Sequence, residues 1–413
     1  MQKVKYLVIG AGISGLSFAN FKKNDDYLVL EQENIIGGLC KSFYDKDYVW
    51  DVAGHFFHYH SEETEKFYNE LMAEVPQRKV EKCAKVYYNK NFMDAPFQYN
   101  IDQLDKNEFI ECLTDLYFAS TNDSYSSFED FVKKTYGEGI ANKFLIPYNE
   151  KLYACKMNEL EKESMGDFLP KLNFESLMNY YRGIKNRTYN DSFLYPINGC
   201  SEIISKIAKR LDENKIKCDE KVIKVDLINK NVITTKNTYN YEYLINTMSL
   251  NNFLNVCDVL SNDLLNYNKV LVFNIGFDGE SIDKKVNWIY FPNNEIFYRV
   301  GFYNNIAGTN KMSIYVEISY KANEIIDTDN AFVQTLKDLK KVGLIDKQKV
   351  VAYNSYIINP GYVHITRKSS EFKNKIFADY EKQNVYFIGR YARWEYSAMD
   401  DSIEQALKLS KKI

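Results

Sequence analysis

Three of the four histidines in this chain fall within seven positions, in GHFFHYH at residues 54–60. Imidazoles gathered this closely suggest metal ligation or proton transfer. Zinc needs converging ligands and a fourth donor, and no cysteine or obvious carboxylate stands nearby to complete the set. In an extended segment His58 and His60 share one face and His55 takes the other. The expectation is therefore no metal.

A second set of residues points to a cofactor. Gly10, Gly12 and Gly15 form G-x-G-x-x-G, with Ser14 inside it, between the apolar run VKYLVI and a stretch with helical spacing. The first glycine permits the turn, the second admits a pyrophosphate to the backbone, and the third allows helix and strand to pack closely. Glu31 ends the next apolar run, DDYLVLEQ, where a carboxylate can accept from ribose hydroxyls. FAD is favoured over NAD by the N-terminal position of the motif and by the glycine pair Gly37-Gly38. The strand–turn–helix character of GRYARWEYSAMDDS, at residues 389–402, suits closure over the far end of a long cofactor. The candidate cofactor residues are Gly10, Gly12, Ser14, Gly15, Glu31, Gly38, Leu39, Val222, Gly389, Arg390, Met399 and Asp400.

The elements that must carry these residues follow from the pattern of the chain. Its 413 residues suggest two or three domains, and 45% hydrophobic with 26% charged residues suits a globular core. A net charge of −3 gives no reason to expect nucleic acid, and no run reaches the length of a membrane helix. Seven scattered cysteines without paired spacing, and no leader-like start, fit a reducing cytoplasm. Apolar residues at three- and four-residue steps over about 104–185 predict helices, and short alternating runs over about 268–320 predict strands. The expected fold class is α/β: a Rossmann-like FAD-binding domain (1–83, 191–264 and 366–413), a helical insertion (101–190) and an antiparallel substrate sheet (84–100 and 265–365).

GAGISGLSFAN, GGLCKSF, WDVAGHFFHYHS, DAPFQYNI, PYNEKLYA, WIYFPNNEIFYRVGFYNN and GRYARWEYSAMDDS, in this order, resemble the signature blocks of UDP-galactopyranose mutases, which sit within the amine-oxidase-like FAD proteins. The glycine and C-terminal blocks are shared by many such enzymes; the others are more telling. The resemblance implies an isomerase that interconverts pyranose and furanose forms of a nucleotide sugar, UDP-galactose first, for cell-surface polysaccharide. It implies a bond between reduced flavin N5 and the anomeric carbon, with FAD active when reduced and NAD(P)H as an external reductant. A tyrosine-rich site suits such chemistry, and the chain has 34 tyrosines.

On that resemblance His55 neighbours the flavin, while His58 and His60 are structural. Arg299 grips the diphosphate, with Tyr290, Tyr362 and Tyr396 around it. Phe97, Gln98, Asn100, Asn149 and Tyr153 fall on the uridine side. The family's second arginine, on a loop that closes over substrate, has no clean match; Arg187 is taken as the catalytic candidate and Arg182 as its alternative. Two other readings stay open: an FAD oxidoreductase of the amine-oxidase or protoporphyrinogen-oxidase kind, which needs an apolar cavity, and a flavin-binding protein without catalysis, favoured if Arg299 is paired structurally. The sequence leaves the oligomeric state open, a homo-oligomer included.

Overall fold

The first apolar run becomes the strand Gln2–Ile9, whose last four residues, Tyr6 to Ile9, are all buried. Burial on both faces is what a central parallel strand demands, and it explains a continuous apolar run in place of alternation. Gln2–Ile9 pairs in parallel with Tyr27–Leu30 on one side and Thr238–Asn246 on the other. Val385–Phe387 adds a further parallel pairing to Thr238–Asn246, and an antiparallel ribbon, Val222–Asp226 with Asn231–Thr234, extends the edge. Helices Ile13–Phe21, Ser201–Ala208 and Met399–Lys412 cover one face of this sheet. Leu250–Val256, Arg367–Glu381 and the buried Trp394 cover the other. The computed structural model describes residues 2–119, 124–169, 172–184, 191–261 and 264–413.

A second seven-stranded sheet runs in the order Val350–Ile358, Asn268–Phe277, Ser313–Lys321, Arg299–Phe302, Trp288–Tyr290, Ala84–Tyr88 and Asn91–Asp94. Neighbours are antiparallel except Trp288–Tyr290 with Ala84–Tyr88, which run parallel. Period-two alternation divides its residues between two cores. Leu271, Phe273 and Ile275 pack with Ala331 and Leu339 of the helix Thr328–Lys341, an element the strand-rich reading of this region did not anticipate. Val270, Val272, Trp288, Tyr298 and Tyr315 face the opposite way, toward the helical segment.

That segment holds Lys106–Phe118, Phe128–Tyr136, Ile146–Tyr153 and Phe174–Tyr181. Asp105 caps the first by accepting from the Asn107 and Glu108 amides, and Ser127 caps the second by accepting from Asp130. Cys112, Leu116, Phe128, Val132 and Tyr136 form its inner stripe. A short ribbon, Gln77–Glu81 with Ser192–Pro196, joins the two halves, and Phe57 bridges to Leu194 at its side. No helix among the described residues is long and apolar enough to cross a membrane.

Candidate active site and cofactor cavity

A cavity of about 890 Å³ runs from the carboxyl end of Gln2–Ile9 to the inner face of the second sheet. Its first half is a glycine cradle. Gly10 has φ +100° against Thr247, where only glycine is at ease, and a Cβ on Gly15 would overlap the Gly10 carbonyl oxygen. Gly15 therefore serves close packing of helix on strand and does not itself line the cavity. Gly12 caps the helix Ile13–Phe21 with no side-chain hydrogen bond and no acidic residue in the first turn, leaving amide donors for an anion. Gly38 faces it, so close that a Cβ there would stand 3.3 Å from the Gly12 Cα. Glu31 is buried beside them, accepting from the Ala11 amide at 2.8 Å and the Glu33 amide at 3.0 Å.

Ser14, Leu39, Val222, Gly389, Arg390 and Met399 also line the cavity. Met399 opens the helix Met399–Lys412, whose N-terminus faces inward. Asp400 differs from expectation: it does not line the cavity, and its Oδ2 is bound to His60 Nδ1. The residues present fit FAD: two helix N-termini, a glycine pair leaving backbone accessible, and a buried carboxylate at ribose distance along the chain. Ser397 Oγ is buried without a hydrogen-bond partner among the described residues, which also suits a bound group.

The histidines divide differently from the extended-segment expectation. His55 and His58 both line the cavity; His60 does not. His55 Nδ1 lies 3.0 Å from the Ala53 carbonyl, and burial holds its pKa below the ordinary value, so the ring is neutral at pH 7. Gly54 precedes it with no room for a side chain, since a Cβ would stand 2.6 Å from Tyr315 Oη. His58 Nδ1 lies 3.2 Å from the Ser192 carbonyl, and burial, then the nearby Lys82, lower its pKa to about 4. Among the described residues His60, Asp400 and Asp401 are close enough to share an ion. Each has another task there: His60 binds Asp400, and Asp401 accepts from the Ala398 amide at 2.7 Å to cap the helix.

The substrate half is built by sheet register. Tyr290 stands opposite Arg299, and Arg299 opposite Glu317, so the three side chains share one face. Arg299 donates to Glu317 from Nε and, at 2.8 Å, from Nη2. Tyr148, Tyr298, Tyr362 and Tyr396 surround the pair along the same cavity. Burial raises the pKa of Tyr148, Tyr290, Tyr298 and Tyr362, so these hydroxyls stay protonated donors. Tyr298 Oη is buried without a hydrogen-bond partner among the described residues. Arg390 lies 4.4 Å over the Tyr396 ring and donates to the Ser397 carbonyl at 3.1 Å, with no carboxylate partner among the described residues.

Of the residues expected on the base side, Phe97, Gln98 and Asn149 line the cavity, and Phe97 stacks on Phe144 with centroids 5.1 Å apart. Asn149 Oδ1 is buried and unpartnered there among the described residues. Asn100 and Tyr153 do not line it. Asn100 donates back to the Pro96 carbonyl at 2.9 Å, and Tyr153 donates to the Ser164 carbonyl from within the helical core. Arg187 lies outside the described residues, and Arg182 is exposed at the end of Phe174–Tyr181. Sequence reasoning missed Tyr148, Tyr298, Glu317, Lys82 and Trp288, all of which line the cavity. The alternation of Tyr315, Glu317 and Ser319 within an apolar strand is the one local signal that marked a polar face.

With this geometry the chain belongs to the flavin containing amine oxidoreductase family, whose match spans residues 13–413. Such a family implies a flavin cofactor, FAD, for the cradle described above. Among solved structures the chain is similar to a reduced UDP-galactopyranose mutase, with 22% identity, TM-score 0.90, and coverage of 100% of this chain and 94% of that one. It is also similar to a protein assigned as a protoporphyrinogen oxidase from Exiguobacterium sp. 255-15, with 12% identity, TM-score 0.77, and coverage of 100% and 98%. Cyclohexylamine oxidase from Brevibacterium oxydans IH-35A matches at 12% identity and TM-score 0.67, covering 99% of each chain. At these identities the likeness shows the fold, and the site must carry the function.

Proposed function

We propose that this protein is a flavin-dependent isomerase interconverting the pyranose and furanose rings of a nucleotide sugar, UDP-galactose being the first to test. The observation that carries the reading is the tyrosine cage around Arg299 and Arg390. An amine oxidase acting on an apolar molecule has no use for a buried guanidinium on the substrate sheet ringed by phenolic donors. A diphosphate does; Arg390, without a carboxylate partner among the described residues, adds a second buried cation that an anion of substrate or cofactor would balance. Phe97 offers a ring to a base, and Gln98 with Asn149 offers amides to its edges.

When bound and reduced, the flavin supplies the nucleophile for the anomeric carbon. The chain's own residues bind and orient. Tyr290, Tyr298 and Tyr362 donate to phosphate oxygens, Arg390 balances charge as the diphosphate leaves and returns, and neutral His55 lines the cavity with its Nδ1 held at the Ala53 carbonyl. The Arg299–Glu317 pair favours a second reading, a flavin protein that binds no sugar phosphate, because the pair cancels one of the two charges. The pair engages Nε and Nη2 only, leaving Nη1 without a partner among the described residues.

Turnover of UDP-galactofuranose by the FAD-loaded protein, with and without dithionite, separates the readings. Conversion to the pyranose only under reduction supports the mutase. No conversion in either state, and no binding of UDP, supports the second reading.

A further inference from the structure

Lys82 is a cavity-lining cation beside Trp288 that neither the cofactor nor the diphosphate accounts for; the other two lining lysines, Lys41 and Lys221, follow Cys40 and precede Val222 on the cofactor side. It follows the strand Gln77–Glu81, and its amide is fixed to the Asp191 carbonyl at 2.9 Å. Its ammonium stands 5.8 Å from the Trp288 ring centroid, inside the cavity and beside neutral His58. It forms no ion pair among the described residues. Burial pulls its pKa below the ordinary lysine value, and the exposed Asp191 opposes this only in part. A half-buried ammonium without a carboxylate is expensive to keep, and a lysine stem adds about 2 kcal/mol of rotamer entropy when fixed.

Register places it relative to the diphosphate grip. Ala84 is opposite Trp288, Val86 opposite Tyr290, and Tyr290 opposite Arg299. Lys82 lies just before the strand Ala84–Tyr88, and its ammonium reaches an aromatic wall by standing over Trp288, whose Nε1 donates to Tyr290 Oη at 2.7 Å. Phe56 belongs to the same wall, stacked on Trp288 with centroids 5.4 Å apart at 9°. The Trp288 indole thus stands between the ammonium and the diphosphate grip, and a sugar ring laid along it would meet Lys82 at one end and Tyr290 with Arg299 at the other.

We propose that Lys82 sets the sugar class of the substrate by pairing with a carboxylate on the sugar, so that the physiological substrate is a nucleotide-activated uronic acid. The inference rests on the mutase reading and deepens it. Neutral hydroxyls are recognised more cheaply by amides and phenols, of which this cavity has several; a carboxylate is the group that repays a lysine. Ring interconversion leaves that carboxylate unchanged, so no additional oxidant or reductant is needed.

The test is equilibrium titration of the FAD-loaded protein, following the flavin spectrum, with UDP, UDP-galactose and UDP-galacturonate, and with GDP, GDP-mannose and GDP-mannuronate. The expected result is that the acid of one pair binds at least about tenfold tighter than its neutral partner, a difference of about 1.4 kcal/mol. Lys82→Met should erase that preference while the free nucleotide binds as before, and Lys82→Arg should retain it. Equal binding of acid and neutral sugar by the unaltered protein overturns the inference and leaves the mutase reading standing; this comparison needs no variant to fold. Loss of free-nucleotide affinity in Lys82→Met places the lysine on the diphosphate, and an altered flavin potential with unchanged sugar preference places it on the cofactor; either overturns the proposal. Failure of every nucleotide to bind overturns both readings together.

Discussion

Glu317 lies directly opposite Arg299 across two antiparallel strands and occupies two edges of its guanidinium. The carboxylate is buried, at 2% side-chain exposure, while Arg299 keeps 22% toward the cavity. The pair fixes the orientation of the arginine and removes its net charge, so the diphosphate meets a directional donor more than a free cation.

Glu317→Gln should therefore keep a hydrogen bond to Arg299 and release its charge. We expect UDP to bind up to about tenfold tighter, with a lower melting temperature. Arg299→Ala leaves a buried carboxylate uncompensated and should destabilise the fold by about 3–5 kcal/mol. Calorimetric titration with UDP and thermal unfolding of both variants check the two statements together.

Gly15→Ala tests the cradle. The added methyl meets the backbone oxygen of Gly10, which cannot rotate away as a side chain would. Expected are a loss of more than about 2 kcal/mol of stability and purification without yellow colour. The ratio of flavin to protein absorbance is the measurement, and a fully loaded Gly15→Ala protein would contradict the packing argument.

How much of this was legible beforehand depended on distance along the chain. The glycine turn, Glu31 and the inward helix at Met399 are set by local spacing, and the sequence marked them. Asn100 and Tyr153 were misplaced because a motif does not report which way each member points. Phe97 and Gln98 in the tight helical turn Phe97–Tyr99 reach the cavity, whereas Asn100 ends that turn and its side-chain amide is drawn back to the Pro96 carbonyl. Asp400 was misplaced for a related reason: it follows Met399 into the helix, and its partner His60 is 340 residues away in sequence. Glu317 acts through a neighbour on another strand and Lys82 stands over Trp288 of the second sheet, relationships that only the fold reveals.

The low proton affinity of His58 has a consequence for pH dependence. Its folded pKa, about 4, lies below the ordinary 6.5, so the unfolded chain binds the proton more readily. Stability from the neutral ring is fully present above about pH 6.5 and is lost as the pH falls toward 4. His58→Gln removes this dependence. Between pH 7.5 and 5 the unaltered protein should lose on the order of 1 kcal/mol more than His58→Gln, after allowance for solvent in the cavity. Melting curves at the two pH values measure it; parallel losses in both proteins would assign the acid sensitivity elsewhere.

Arg390 separates stability from function. Its guanidinium is held by a carbonyl and by the faces of Tyr396 and Tyr362, at 4.4 and 5.2 Å, without a neutralising carboxylate among the described residues. In the absence of flavin and nucleotide this charge is a liability, and its removal should relieve the fold. Arg390→Met should raise the melting temperature of flavin-stripped protein, by about 1 kcal/mol or more in stability, since apolar replacements of buried charges are often neutral to stabilising. The same variant should bind UDP at least about tenfold more weakly or retain less FAD, because the cation balances one or both of these anions. Differential scanning of the stripped protein, paired with UDP titration of the loaded one, reads both effects. A variant less stable when stripped and unchanged in binding would make Arg390 a packing residue, and the anion-binding role of the tyrosine cage would then rest on Arg299 alone.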